Sequence, residues 1–177
     1  MSRAPETRIV VEKSARRLRL YSGAALLLES RIAIGRNSGA DKTIEGDEAT
    51  PLGEFFICAR NPRSRFFLSL CISYPNAAHA DRGLRSGLID AMEHAQIIDA
   101  LAQRRTPPQG TRLGGEIYIH GEMRGNDANA HDANANDSRG GAAHGVDATR
   151  GCIALDNSTM RQLFDLVPLG TRISIEA

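Results

Sequence analysis

The sequence predicts a mainly β domain carrying two helices, on three observations. Most apolar residues fall in short runs, alternating or clustered between Gly, Ser and Asn breakers, as in antiparallel strands. Only two windows repeat apolar residues at the helical period. The chain has 177 residues, a one-domain length at which folding buries roughly 70% of the unfolded surface, so the core requires no staple.

In order along the chain, residues 1–7 form a polar tail and 8–177 a single domain. Strands are predicted over 9–12, 16–21 and 24–34, with Ser22-Gly23 as a hairpin turn. Cys58 and Cys71 sit in strand-like runs, where a free cysteine behaves as a small buried hydrophobe; a Cys58–Cys71 bridge between adjacent strands is the alternative. A helix is predicted over about 89–104, where Ile97/Leu101 and Ile98/Ala102 follow Asp90 and Thr106-Pro107-Pro108 ends the run. His79 is expected on a loop and His94 on a helix flank. Glu116-Ile117-Tyr118-Ile119-His120-Gly121 reads as a short strand stopping at a histidine. Residues 126–143 are dominated by Asp, Asn, Ala and Gly without apolar period, and are expected to form a mobile insertion, either a lid or a tolerated surface loop. A second helix over about 158–166 places Met160, Leu163, Phe164 and Val167 on one stripe, with Asn157 as its cap and Pro168 as its stop. Residues 171–175 close the sheet.

Charge and composition exclude several functions. With 22 Lys+Arg against 21 Asp+Glu, no global field draws in nucleic acid or an anionic membrane. No run is long and apolar enough to span a bilayer, and no secretory h-region is visible. Gly35 to Thr43 ends in Lys-Thr like a phosphate loop, but its spacing is wrong and acidic residues follow where a helix should start. Asp132, Asn134 and Asn136 begin a calcium-loop pattern that fails at Asp137 and Ala143. His120, His131, His144 and Cys152 lack the close spacing of a zinc site, so neither metal nor cofactor is expected.

Chemistry concentrates in two places. Thr149-Arg150-Gly151-Cys152-Ile153-Ala154-Leu155 presents one thiol between a glycine and an apolar run, and His120 lies at a strand end. A Cys-His pair points to acyl transfer, with Cys152 as nucleophile and His120 as general base and then acid. Backbone amides around Gly151 and Cys152 are expected to form the oxyanion hole.

These motifs, with Thr50-Pro51-Leu52-Gly53-Glu54-Phe55, Gly35-Arg36-Asn37, Ile72-Ser73-Tyr74-Pro75-Asn76 and Leu166-Val167-Pro168-Leu169-Gly170-Thr171, resemble in the same order the L,D-transpeptidase catalytic domain, also called the YkuD domain. The resemblance implies a sandwich- or barrel-like β fold with the two helices peripheral. It implies peptidoglycan stem peptides or muropeptides as substrates, through a thioester that passes to a stem amine as a 3-3 cross-link, to a D-amino acid, or to water as an L,D-carboxypeptidase. It assigns the Gly121 carbonyl to orienting His120. Arg150, Thr149 and Arg60 are expected on substrate, the arginines because guanidinium grips carboxylate bidentately; for Arg60, Arg63 and Arg65 a solvated loop is the bland alternative. The family works in the periplasm or cell envelope. A wall-binding module with a cation-binding loop at 126–143 is the non-catalytic rival. The chain departs from the family pattern in Arg150, which precedes Gly-Cys where His or a small or acidic residue is usual, and in the 32-position spacing from His120 to Cys152.

Overall fold

The computed structural model describes residues 6–122 and 147–177, so the predicted insertion at 126–143, with His131 and His144, lies outside the described residues. The elements are β1 (Thr7–Glu12), β2 (Arg17–Ser22), β3 (Ala25–Arg31), β4 (Gly53–Ser64), β5 (Phe67–Ile72), α1 (Ala77–Arg85), α2 (Ala91–Ala102), β6 (Tyr118–His120), β7 (Ile153–Ala154), α3 (Asn157–Leu166) and β8 (Arg172–Glu176). The strands form one curled sheet in the order β3-β2-β1-β8-β4-β5-β6-β7.

Alternation along the first strands decides which face is inside. Ile9, Val11, Leu18 and Leu20 are fully buried. Their neighbours Glu12, Arg17 and Arg19 pair across the outer face at 2.6–2.7 Å, as a period of two requires. The turn joining β2 to β3 is Gly23-Ala24, one residue later than the predicted Ser22-Gly23, because Ser22 still pairs with Ala25 and Gly23 supplies the positive φ of 58°.

Two devices curl the sheet. β4 is long enough to serve both halves: Gly53 to Phe56 pair with β8, and Ile57 to Ser64 pair with β5. A register shift between Ile57 and Ala59 turns the corner at Cys58. The chain after β3 then crosses to the far edge, where Ala33 exchanges hydrogen bonds with Ala154 at 2.9 and 3.0 Å and Gly35 bridges Thr149. The predicted strand over 24–34 therefore divides, its end leaving β2 to close the sheet beside β7. The interior holds one main cluster, including Ile57, Leu68, Leu70, Ile119, Ile153, Met160, Leu163 and Ile173.

The helices correct the sequence reading in three respects. α1 was not predicted; its apolar face is small, and Gly83 weakens its propensity. Gly83 is where Leu113 packs, 2.8 Å from the position a Cβ would take. Asn76 caps α1, accepting from the His79 amide, so His79 lies in a helix and is buried, with Nε2 3.2 Å from Asp41 and Nδ1 2.6 Å from Asn76. α2 begins behind a reciprocal capping box of Asp90 and Glu93, and His94 lies within it against Asp81. The cap of α3 is Asp156, whose carboxylate accepts from the Thr159 amide at 2.9 Å; Asn157 is already helical and its side chain reaches elsewhere.

Lys42, in the segment that superficially resembled a phosphate loop, is buried and paired with Asp47 at 2.9 Å. Among the described residues no helix is long and apolar enough to cross a membrane, and no group of three His, Cys, Asp or Glu is placed to hold a metal.

Candidate active site

β6 and β7 run parallel, with Ile119 paired to Ile153 and His120 to Ala154. Both isoleucines point into the core, fully buried. Alternation therefore carries His120, and Cys152 just ahead of Ile153, to the opposite face, diagonal to one another across adjacent strands. Ser69 and Cys71 of β5, opposite His120 and Tyr118, extend that face.

The turn before Cys152 is held by its own atoms and by the sheet closure. The Thr149 amide donates to Ile34 O at 3.2 Å and the Arg36 amide to Thr149 O at 3.1 Å. The Thr149 hydroxyl accepts from the Gly151 amide at 3.1 Å and donates to Cys152 O at 2.6 Å. Gly151 has a φ of 121°, and a Cβ there would lie 2.7 Å from Ala49 O. Cys152 emerges half-buried, its Sγ 3.4 Å from Glu116 O. Glu116 is itself held at a positive φ of 55° by Gln109 Oε1, 2.6 Å from its amide.

His120 is buried, with Nδ1 2.7 Å from Gly121 O. A carbonyl oxygen can only accept, so Nδ1 carries the proton and Nε2 is left as the basic nitrogen. The Gly121 carbonyl is aimed in turn by Asn157, whose Oδ1 accepts from the Glu122 amide at 2.9 Å. Gly121 O and the Glu122 N–H belong to one planar peptide, so fixing one fixes the other. The ring of Phe66, at the β4–β5 turn, stacks on the imidazole with centroids 4.5 Å apart and 31° between planes. Burial pushes the His120 pKa down, the Gly121 hydrogen bond opposes this, and the nearby Arg65 charge adds to it. The resting imidazole is thus neutral at physiological pH, a base awaiting a proton. Burial likewise pushes the Tyr118 hydroxyl up to about 12.

Three expected site residues have other partners. The Gly151 amide, expected in the oxyanion hole, donates here to the Thr149 hydroxyl. Thr149 is buried inside the turn, where its hydroxyl braces the backbone. Arg60 donates to Phe164 O at 2.5 Å, at the end of α3, and stacks on the Phe164 ring at 4.3 Å. Arg150 is exposed on the turn itself. Sequence reasoning missed Phe66, Asn157, Gln109 and the Glu116 carbonyl; only Asn157 was marked, as a cap. Replacing Phe66 by alanine should let water reach the imidazole and raise the His120 pKa toward the ordinary 6.5 or so; titration of the His120 ring by NMR checks this, and an unmoved titration would mean that the stack does not desolvate it.

The model of the L,D-transpeptidase catalytic domain, YkuD, matches residues 6–175. No curated protein matches the chain. Among solved structures, the helical cell shape determining protein Pgp2 from Campylobacter jejuni is 23% identical with a TM-score of 0.60, over 98% of this chain and 48% of that one. Bd1075 from Bdellovibrio bacteriovorus is 18% identical with a TM-score of 0.55, over 97% and 48%. An L,D-transpeptidase from Mycobacterium smegmatis is 14% identical with a TM-score of 0.53, over 98% and 59%. At these identities the likeness is one of fold, and the chain spans about half the length of the first two of these proteins. The family model covers nearly all of the curled sheet and its helices, and the chain belongs to the YkuD family of L,D-transpeptidase catalytic domains.

Proposed function

We propose that the chain is a cysteine-dependent L,D-transpeptidase that acts on peptidoglycan stem peptides in the cell envelope. The observation that carries this is the shared face of β6 and β7, which sets a neutral, Nδ1-protonated His120 beside the emerging Cys152 thiol. Family membership supplies the substrate class.

A thiol attacks an amide only as the thiolate. In the proposed reaction His120 Nε2 takes the Cys152 proton as the sulfur attacks the carbonyl carbon on the donor's L-centre. The imidazolium that forms is held in orientation by Gly121 O, and protonates the departing D-amino acid. With the Gly151 amide committed to Thr149, the oxyanion falls to the amide of Cys152 itself. The thioester then passes to an amine acceptor. Arg150 is the residue of the turn suited to a carboxylate of the incoming peptide, since its guanidinium is exposed beside the nucleophile.

Incubation with a carbapenem, a β-lactam that acylates such cysteines, tests the reading by intact mass. The wild-type protein should gain one adduct and Cys152→Ala none; an adduct mapped to Cys58 or Cys71 would refute the assignment of the nucleophile.

A further inference from the structure

The two cysteines that acyl transfer does not use meet at the corner of the sheet. Cys58 sits in the β4 bulge, where Cys58 and Ala59 together oppose Cys71 of β5. The Cys58 thiol lies 3.5 Å from Cys71 O, and the Cys71 thiol 3.7 Å from Ile72 O. Cys58 is half-buried, whereas Cys71 is buried behind it. Cys152 is on the same face but at the start of β7, two strand spacings from β5, about 10 Å. That separation exceeds the reach of a disulfide, about 7 Å between Cα atoms.

We propose that Cys58 and Cys71 are a redox-active pair that closes to a disulfide in an oxidising compartment, with Cys152 left outside the bridge. The proposal does not rest on the acyl-transfer reading. With three cysteines in the chain, closing this pair removes both thiols that could otherwise scramble with the nucleophile.

The chemistry is thiol–disulfide exchange with a disulfide oxidant such as oxidised glutathione. The Cys58 thiolate attacks one glutathione sulfur, forming a mixed disulfide and releasing one glutathione thiolate. Cys71 then loses its proton to solvent and attacks the Cys58 sulfur, forming the Cys58–Cys71 bond and expelling the second glutathione. Two protein thiols give up two electrons and two protons, and the oxidant leaves as two thiols. The environment divides these roles: the hydrogen bond from Cys71 brings the Cys58 thiol down to about 7, while the same contact, with burial, pushes the Cys71 thiol up. Once Cys58 is in the mixed disulfide its negative charge is gone, and with it the part of the upward push on Cys71 that came from Cys58, leaving that of burial.

The experiment uses the full chain carrying Cys152→Ala, so that it is independent of the nucleophile. Reduced protein is incubated with oxidised glutathione, freed of the oxidant, denatured at about pH 8 in excess iodoacetamide so that every remaining thiol is alkylated as thiolate, and read by intact mass and peptide mapping. The expected result is a loss of the mass of two hydrogens, no alkylation, and a linked peptide pair containing Cys58 and Cys71. Two alkylated thiols after exposure to excess oxidant, or a stable glutathione adduct on Cys58 without closure, would overturn it. In the wild-type chain an intramolecular disulfide joining Cys152 to Cys58 or Cys71 would overturn it as well.

Discussion

Acylation of Cys152 by a carbapenem is expected to slow by about 10²–10⁴-fold in His120→Gln, the range usual for loss of a positioned general base. Glutamine roughly preserves the shape under Phe66 and can still donate to Gly121 O, so the fold should be kept while the basic nitrogen is lost. The wild-type pH profile provides an internal check. Burial lowers the His120 pKa, so the neutral imidazole persists as pH falls past the ordinary histidine value near 6.5 or so, and its contribution is lost only below that, as pH drops through the folded pKa. The acid limb of the acylation rate should therefore lie below the usual histidine range and disappear in His120→Gln. A variant that acylates at the wild-type rate would remove His120 from the mechanism.

Gly151→Ala is expected to destabilise the fold and misplace the nucleophile together. The backbone there has a φ of 121°, a region L-residues rarely enter, and the new Cβ would meet Ala49 O at 2.7 Å and Ile117 at 3.2 Å. Backbone strain of about 1–3 kcal/mol and overpacking of similar size together predict a loss of about 2–5 kcal/mol in denaturant unfolding. Because the Gly151 amide also anchors the turn through Thr149, the nucleophile should be misplaced even in molecules that remain folded, and carbapenem labelling should fall with stability. A variant of unchanged midpoint and labelling rate would show that the turn tolerates a side chain.

The strands were legible because their alternation is written in adjacent residues: Ile9 and Val11 inside, Glu12 outside. α2 and α3 were legible through their apolar stripes. α1 was not, since its buried residues are His79, Ala80 and Gly83, which carry little hydrophobic signal. At the site, Cys152 and His120 stood out by motif, yet what surrounds them depends on pairings across the sheet. Phe66 reaches His120 only because the β4–β5 turn folds over β6, and Asn157 reaches the peptide after Gly121 only because α3 follows β7 back across the sheet edge. Arg60 looked like a carboxylate ligand because a guanidinium in a sequence does not reveal that a helix end lies beside it.

The parallel pairing of β1 with β8 has a kinetic consequence. Residues 8–12 hydrogen-bond beside 172–176, and β8 in turn connects β1 to β4, so the middle of the sheet is completed by its last strand. Contacts so distant in sequence carry their loop-closure entropy before they return any stability, which places refolding toward the milliseconds-to-seconds end of single-domain rates. During synthesis β1, β2 and β3 emerge together, but the outer edge of β1 then waits for a partner more than a hundred residues away, about ten seconds or more at ribosomal speed. For that interval it is an unpaired strand edge, open to another chain in the same condition, so aggregation of the nascent protein should respond more strongly to changes in β1 than to equally destabilising changes in β7.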